Sequence, residues 1–158
     1  MRNKTTIFSE ENLHKITNEI IERVNQGTSL KEASGMSDGQ LEEIYSLAYS
    51  YYEQGKYKES SCLFRLLAVL SPKTSKFLLG LGASYYQLKW FDQALQGFGL
   101  ALQESLEPLP AYYIAECYLK MHKLTEAKEA LDLTIDLCEG ESKHNTLKEK
   151  CKLIIKSI

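Results

Sequence analysis

The sequence predicts an all-α protein, with three helix hairpins stacked into a right-handed superhelix and a further helix flanking the stack at each end. Three observations carry this. Apolar residues recur at spacings of three and four over most of the chain, the period of an amphipathic helix. A block of one small and several large apolar residues returns three times in register. Gly55 stands at the turn of the first block and Pro72 at its end, where a helix hairpin needs its breakers.

The first block runs from Leu41 to Pro72. Leu47, Ala48 and Tyr51 mark one face of its first helix, and Ser60, Phe64 and Leu67 one face of its second. The small residue lets the two helices approach, and the rings fill the space beside it. The second block repeats this with Leu81, Gly82 and Tyr85, then Ala94, Phe98 and Ala101. The third has Ile114, Ala115 and Tyr118, then Ala127, Leu131 and Thr134. A period near 34 residues with these residue types is the tetratricopeptide pattern. The expected units are 41–74, 75–107 and 108–141 within a single domain over 1–158, with helices at about 38–54, 57–70, 75–88, 91–105, 109–121 and 125–138.

Composition narrows the function. The 158 residues are 44% hydrophobic and 25% charged, enough for one core. A net charge of −2 gives no reason to expect nucleic acid or an anionic membrane as a partner. No apolar run is long enough for a membrane span, and the N-terminus lacks the apolar core of a secretory signal. Cys62, Cys117, Cys138 and Cys151 stand singly, which suits reduced thiols packed as small hydrophobes.

Ser9 can cap an N-terminal helix over 9–26 that Gly27 ends. Leu13, Ile16, Ile20 and Val24 form its apolar stripe, widened by Ile21. No repeat includes this helix, so the stripe is buried either on the first repeat or on another chain. A short helical turn is expected around Leu30 to Ala33, and Ser37 with Gln40 forms a capping box for the first repeat helix. The hairpin turns fall at Gly55-Lys56, Lys89-Trp90 and His122-Lys123. Trp90 is expected as a wedge under the second hairpin, the alternative being an exposed contact. Ser142 can cap a last helix over 142–158, whose stripe is Leu147, Cys151, Ile154, Ile155 and Ile158. Such a helix covers the open end of a repeat array. Its lysines, 143, 148, 150, 152 and 156, are expected as a solvated face.

Stacked hairpins curve, and the first helix of each lines the concave side. The stripe opposite the packing face of the first repeat is Tyr45, Tyr49 and Tyr52. Leu79, Ala83 and Tyr86 are equivalent in the second repeat; in the third they are Tyr113, Glu116 or Cys117, and Leu119 or Lys120, with Tyr112 at the edge. Tyrosines in a groove combine a large apolar ring with a hydroxyl, which suits an extended peptide with spaced apolar or proline anchors. The alternative is that some of these rings pack as core. Nothing points to catalysis: His14, His122 and His144 stand far apart, and Gly80-Leu81-Gly82 falls inside a helix, where it permits close packing. No metal, nucleotide or other cofactor is expected.

The runs IYSLAYSYYEQGKYKES, FLLGLGASYYQL and AYYIAECYL, with the lead-in GTSLKEASGMSDGQLEEIY, resemble the class II translocator chaperones of bacterial type III secretion, the low-calcium-response-protein-H type, over residues 28–140. The resemblance implies a non-enzymatic protein of the bacterial cytoplasm that binds hydrophobic translocator proteins and keeps them soluble and competent for export. It implies a groove taking an extended segment near the translocator's N-terminus, with Tyr45, Tyr49, Tyr52, Leu79, Ala83, Tyr86, Tyr112 and Glu116 as client-binding residues. It also implies a homodimer formed through the N-terminal helix, by Leu13, Ile16, Ile20 and Val24, and in some members a transcription activator as a second partner.

Two other functions fit a tetratricopeptide array. An adaptor for the acidic tail of a heat-shock chaperone needs cations along the groove, where this chain has Tyr45, Tyr49, Leu79, Ala83 and Glu116. A scaffold subunit of a secretion machine would bind a folded partner instead of an unfolded segment.

Overall fold

The computed structural model describes residues 10–158. Among them are nine α-helices: α1 (Glu10–Asn25), α2 (Leu30–Ser34), α3 (Asp38–Glu53), α4 (Tyr57–Leu70), α5 (Ser75–Gln87), α6 (Phe91–Ser105), α7 (Pro108–Lys120), α8 (Leu124–Leu137) and α9 (Asn145–Ser157). Helices α3–α4, α5–α6 and α7–α8 form three hairpins, each packed on the next, and α9 lies on α8.

The starts of α2 and α3 are fixed locally. Ser37 Oγ accepts from the Gln40 N–H at 3.2 Å while Gln40 Oε1 accepts from the Ser37 N–H at 2.9 Å. Ser29 and Glu32 repeat this reciprocal cap on α2. The three hairpin turns share one conformation. Gly55, Lys89 and His122 have φ of 75°, 63° and 58°, in the left-handed region. In each, the next residue's N–H donates to a carbonyl five residues back, from Lys56 to Tyr51, Trp90 to Tyr85 and Lys123 to Tyr118, all at 2.9 Å. Two of the three turns therefore hold a side chain where glycine is unstrained.

The packing positions of the repeats are buried together. Ala48, Ala115, Ser60, Ala94, Ala127, Phe98 and Leu131 are fully inaccessible. At Gly82 and Gly97 the backbones of α5 and α6 meet: a Cβ on Gly97 would stand 2.9 Å from both Cα and N of Gly82. Ser60, where the other repeats have alanine, donates to the Ala48 carbonyl at 2.9 Å and lies 3.1 Å from Ser84 Oγ, so its buried hydroxyl is satisfied.

Three features depart from the sequence expectation. Leu47 is 47% exposed, although Leu81 and Ile114 at the same repeat position pack into the core. Among the described residues no hairpin precedes the first, and Leu47 lacks the cover that Leu81 and Ile114 have. Trp90 is no wedge; it is 44% exposed and lies across the Tyr85 ring, centroids 5.8 Å apart. Ser142 does not cap the last helix, because a short 3-10 turn (Ser142–His144) comes first and α9 begins at Asn145. The lysines of this end form the solvated face expected, with Lys143, Lys150, Lys152 and Lys156 exposed and Lys148 half-buried; Lys143 pairs with Glu141, Lys148 with Glu139 and Lys152 with Glu149, and Lys150 lies over the Tyr112 ring at 4.6 Å. The side chains of Leu13, Ile16 and Ile20 lie outside the described residues. Val24 is 37% and Ile21 52% exposed.

Candidate functional site: the concave wall

Helices α3, α5 and α7 line the inner face of the array. Six of the residues expected there, Tyr45, Tyr49, Tyr52, Leu79, Ala83 and Tyr113, line one cavity of about 200 Å³ together with Phe64, Lys76, Gly80 and Leu109. The tyrosines are held in aromatic contacts. Tyr45 meets Phe64 edge-on at 5.9 Å and Phe77 at 5.7 Å, and Tyr52 meets Tyr57 at 5.3 Å. Tyr45 is thus partly core and partly wall, whereas Tyr49 is 52% exposed. The charge of Glu53 beside Tyr49 pushes its phenol up, so it remains a neutral donor at physiological pH.

Gly80 shapes the floor. A Cβ there would stand 2.3 Å from Phe64 Cε1, so the missing side chain is what lets the Phe64 ring underlie the cavity. Tyr113 lies flat on Phe98, at 5.2 Å and 16°. Lys76 sits over Tyr45, 4.7 Å from the ring centroid, and pairs with Glu42 at 2.5 Å.

The remaining expected residues lie elsewhere. Tyr86 lines a neighbouring cavity, in edge contact with Phe91 at 5.7 Å. Tyr112 is not on the wall. It is 6% exposed and packs with Ala115, Leu131 and Cys151, because α9 covers that side of α7. Glu116 is half-buried and already engaged, accepting from the Tyr112 hydroxyl and, at 3.5 Å, from Tyr86. Burial and this carboxylate push the Tyr86 phenol up to about 12. Phe64, Gly80, Lys76 and Leu109 are wall residues that repeat spacing did not mark. Gly80 gave a signal, a glycine inside a helix one residue from a groove position.

The arrangement suits binding. An apolar, aromatic concavity with phenol hydroxyls at its rim can bury spaced apolar side chains and hydrogen-bond the backbone between them. Among the described residues no group of three or more His, Cys, Asp or Glu side chains could hold a metal ion.

The tetratricopeptide repeat family model matches residues 41–73 and 75–103. Over 133 residues the chain is 30% identical to the low calcium response locus protein H of Yersinia pestis, covering 84% of this chain and 79% of that protein. The chain belongs to this family of class II type III secretion chaperones. The translocator chaperone SycD of Yersinia enterocolitica, 29% identical, superposes with a TM-score of 0.77 over 83% of this chain and 98% of its own. A second structure of SycD, in complex with a peptide of the translocator YopD, is 30% identical with a TM-score of 0.73 over 77% of this chain and 93% of that one. In this class II chaperone the family model spans the two hairpins whose first helices supply Tyr45, Tyr49, Tyr52, Leu79 and Ala83.

Proposed function

We propose that this protein binds a hydrophobic translocator of a bacterial type III secretion system through the concave wall, before export and in the cytoplasm. The cavity of Tyr45, Tyr49, Tyr52, Leu79 and Ala83 is the observation that carries the proposal. It accepts an extended segment from the translocator's N-terminal region, with proline and leucine-type anchors. A client with membrane-spanning segments aggregates through its apolar surface, and a clamp that holds the chain lowers the free concentration by mass action, without nucleotide. No described helix is long and apolar enough to cross a membrane, which suits a soluble carrier.

The test is a pull-down from the native bacterium with the full chain as bait, beside Tyr49→Ala and Ala83→Glu. Ala83→Glu puts a charge into the cavity without removing a core side chain. The wild type should retain a protein with long apolar segments, and both variants should lose at least ten-fold of it at unchanged helicity. Retention of folded, soluble partners alone, equally by all three proteins, overturns the proposal.

Two further partners belong to the same reading. A second copy of the chain would cover the stripe of Leu13, Ile16, Ile20 and Val24, which the exposure of Val24 and Ile21 supports. A transcription activator would use the emptied chaperone, an expectation carried by the family resemblance.

A further inference from the structure

Along α5 the concave face forms a lane. Lys76, Leu79, Ala83 and Gln87 follow one another at spacings of three and four. From Lys76 to Gln87 the helix rises about 16 Å, the reach of about five residues of extended chain. Lys76 and Leu79 also line a cavity of about 480 Å³ beside Glu107 and His144 at the start of the lane. The tyrosine cavity occupies the middle. At the far end Tyr86, Gln87, Lys89, Phe91 and Lys120 line a third cavity of about 490 Å³. Gln87 Nε2 donates to the Tyr52 hydroxyl at 3.2 Å, joining this third cavity to the tyrosines.

The two ends of the lane differ in charge. At the start, Lys76 is paired with Glu42 at 2.5 Å, and His144 Nε2 lies 3.7 Å from Glu107. At the far end the charged lining groups are two lysines, 89 and 120. Among the described residues neither has a carboxylate within 4.0 Å. Glu116, behind Tyr86, is held by the hydroxyls of Tyr86 and Tyr112. The left-handed turn fixes Lys89 at the rim, and Lys120 ends α7 across from it.

We infer that this cavity is a carboxylate site, which takes an aspartate or glutamate side chain of the bound client segment. The inference rests on the proposed groove function and specifies the client's chemistry. The middle of the apolar cavity, between Leu79 and Ala83, lies about 9 Å along α5 from Gln87, so the acid falls about three residues from the apolar anchor. The Tyr86–Phe91 pair shields one side of the site, and Gln87 offers its amide. The acid fixes the direction in which the segment lies, because the opposite end of the lane has its own carboxylates.

The test selects a phage-displayed library of random dodecapeptides on the full-length protein at low salt, beside the double variant Lys89→Gln, Lys120→Gln. The expected result is enrichment of apolar anchors with Asp or Glu at a fixed offset of about three residues, at least three-fold over the unselected library. The double variant should keep the apolar anchors and lose the acid. Apolar anchors without any acidic preference on the wild type overturn the carboxylate site and leave the groove standing. An unchanged acidic preference in the double variant overturns the site as well. Absence of apolar enrichment on the wild type overturns both the site and the groove.

Discussion

Tyr86 and Glu116 tie the second repeat to the third through a phenol, and the protonation of that phenol matters to the fold. Burial, then the Glu116 charge, push Tyr86 from an ordinary 10 up to about 12. Burial also raises Cys117 from 9 to about 12 and Cys151 to about 11. In each case folding favours the neutral form. The folded value lies above the unfolded one, so the contribution to stability is complete below the unfolded value and is lost as pH rises towards the folded value. The melting temperature is expected to hold steady from pH 7 to about 8.5, then to fall from about 9 to 12. Absorbance at 295 nm followed through the same titration should show Tyr86 and Tyr112 ionising only as helicity is lost. A melting temperature unchanged up to pH 11 would contradict these buried groups. Helix spacing puts Tyr113 in the groove and Tyr112 only at its edge; it is the family resemblance that makes Tyr112 a client-binding residue, and α9 buries it.

At the scale of the element, the turns and the α5–α6 crossing give opposite expectations for glycine. Lys89 and His122 hold the left-handed conformation that Gly55 takes freely, with φ of 63° and 58°. His122→Gly relieves that strain away from any cavity, and a gain of about 0.5–1 kcal/mol is expected after the added flexibility of the unfolded chain. Gly97→Ala does the reverse. Its Cβ would meet backbone atoms of Gly82 at 2.9 Å, which no rotamer change can relieve, so a loss of about 1–3 kcal/mol is expected. Urea denaturation of both variants measures the two signs. The hairpins themselves were legible because their packing partners sit at fixed offsets within one repeat: the small residues Ala48, Gly82 and Ala115 pair with Phe64, Phe98 and Leu131. Residues whose surroundings depend on the neighbouring element were not. Leu47 reads like Leu81 but has no preceding hairpin among the described residues, and Lys76 and Leu109 line the cavity from the first turns of α5 and α7, positions the repeat pattern does not mark.

At the scale of the whole molecule, among the described residues the array is covered at its C-terminal end and open at the other, and the two ends predict different results on truncation. At the C-terminal end α9 sets Leu147, Cys151, Ile154 and Ile155 against Tyr112, Ala130 and Leu131. Each fully buried aliphatic side chain contributes about 1.5–3 kcal/mol, and several here are partly buried, so a chain ending at residue 144 should lose about 4 kcal/mol. For a domain of this size that lowers the melting temperature by about 10 °C. At the N-terminal end α1 packs chiefly on α2, with Arg23 Nη1 donating to the Ala33 carbonyl at 3.2 Å, while Leu47, Ile21 and Val24 remain exposed. Removing residues 1–26 therefore takes little from the single chain, and the melting temperature at low protein concentration should move by no more than about 3 °C. What it removes is the stripe proposed to hold a second copy, with the exposed Ile21 and Val24. Sedimentation equilibrium of the intact chain should give a dimer that dissociates on dilution, and the chain lacking 1–26 should sediment as a monomer. If the shortened chain kept its dimer mass, the dimer would lie on another face. If it unfolded at low concentration, α1 would instead be the missing N-terminal cover of the array, and the exposed Leu47 would be its seat.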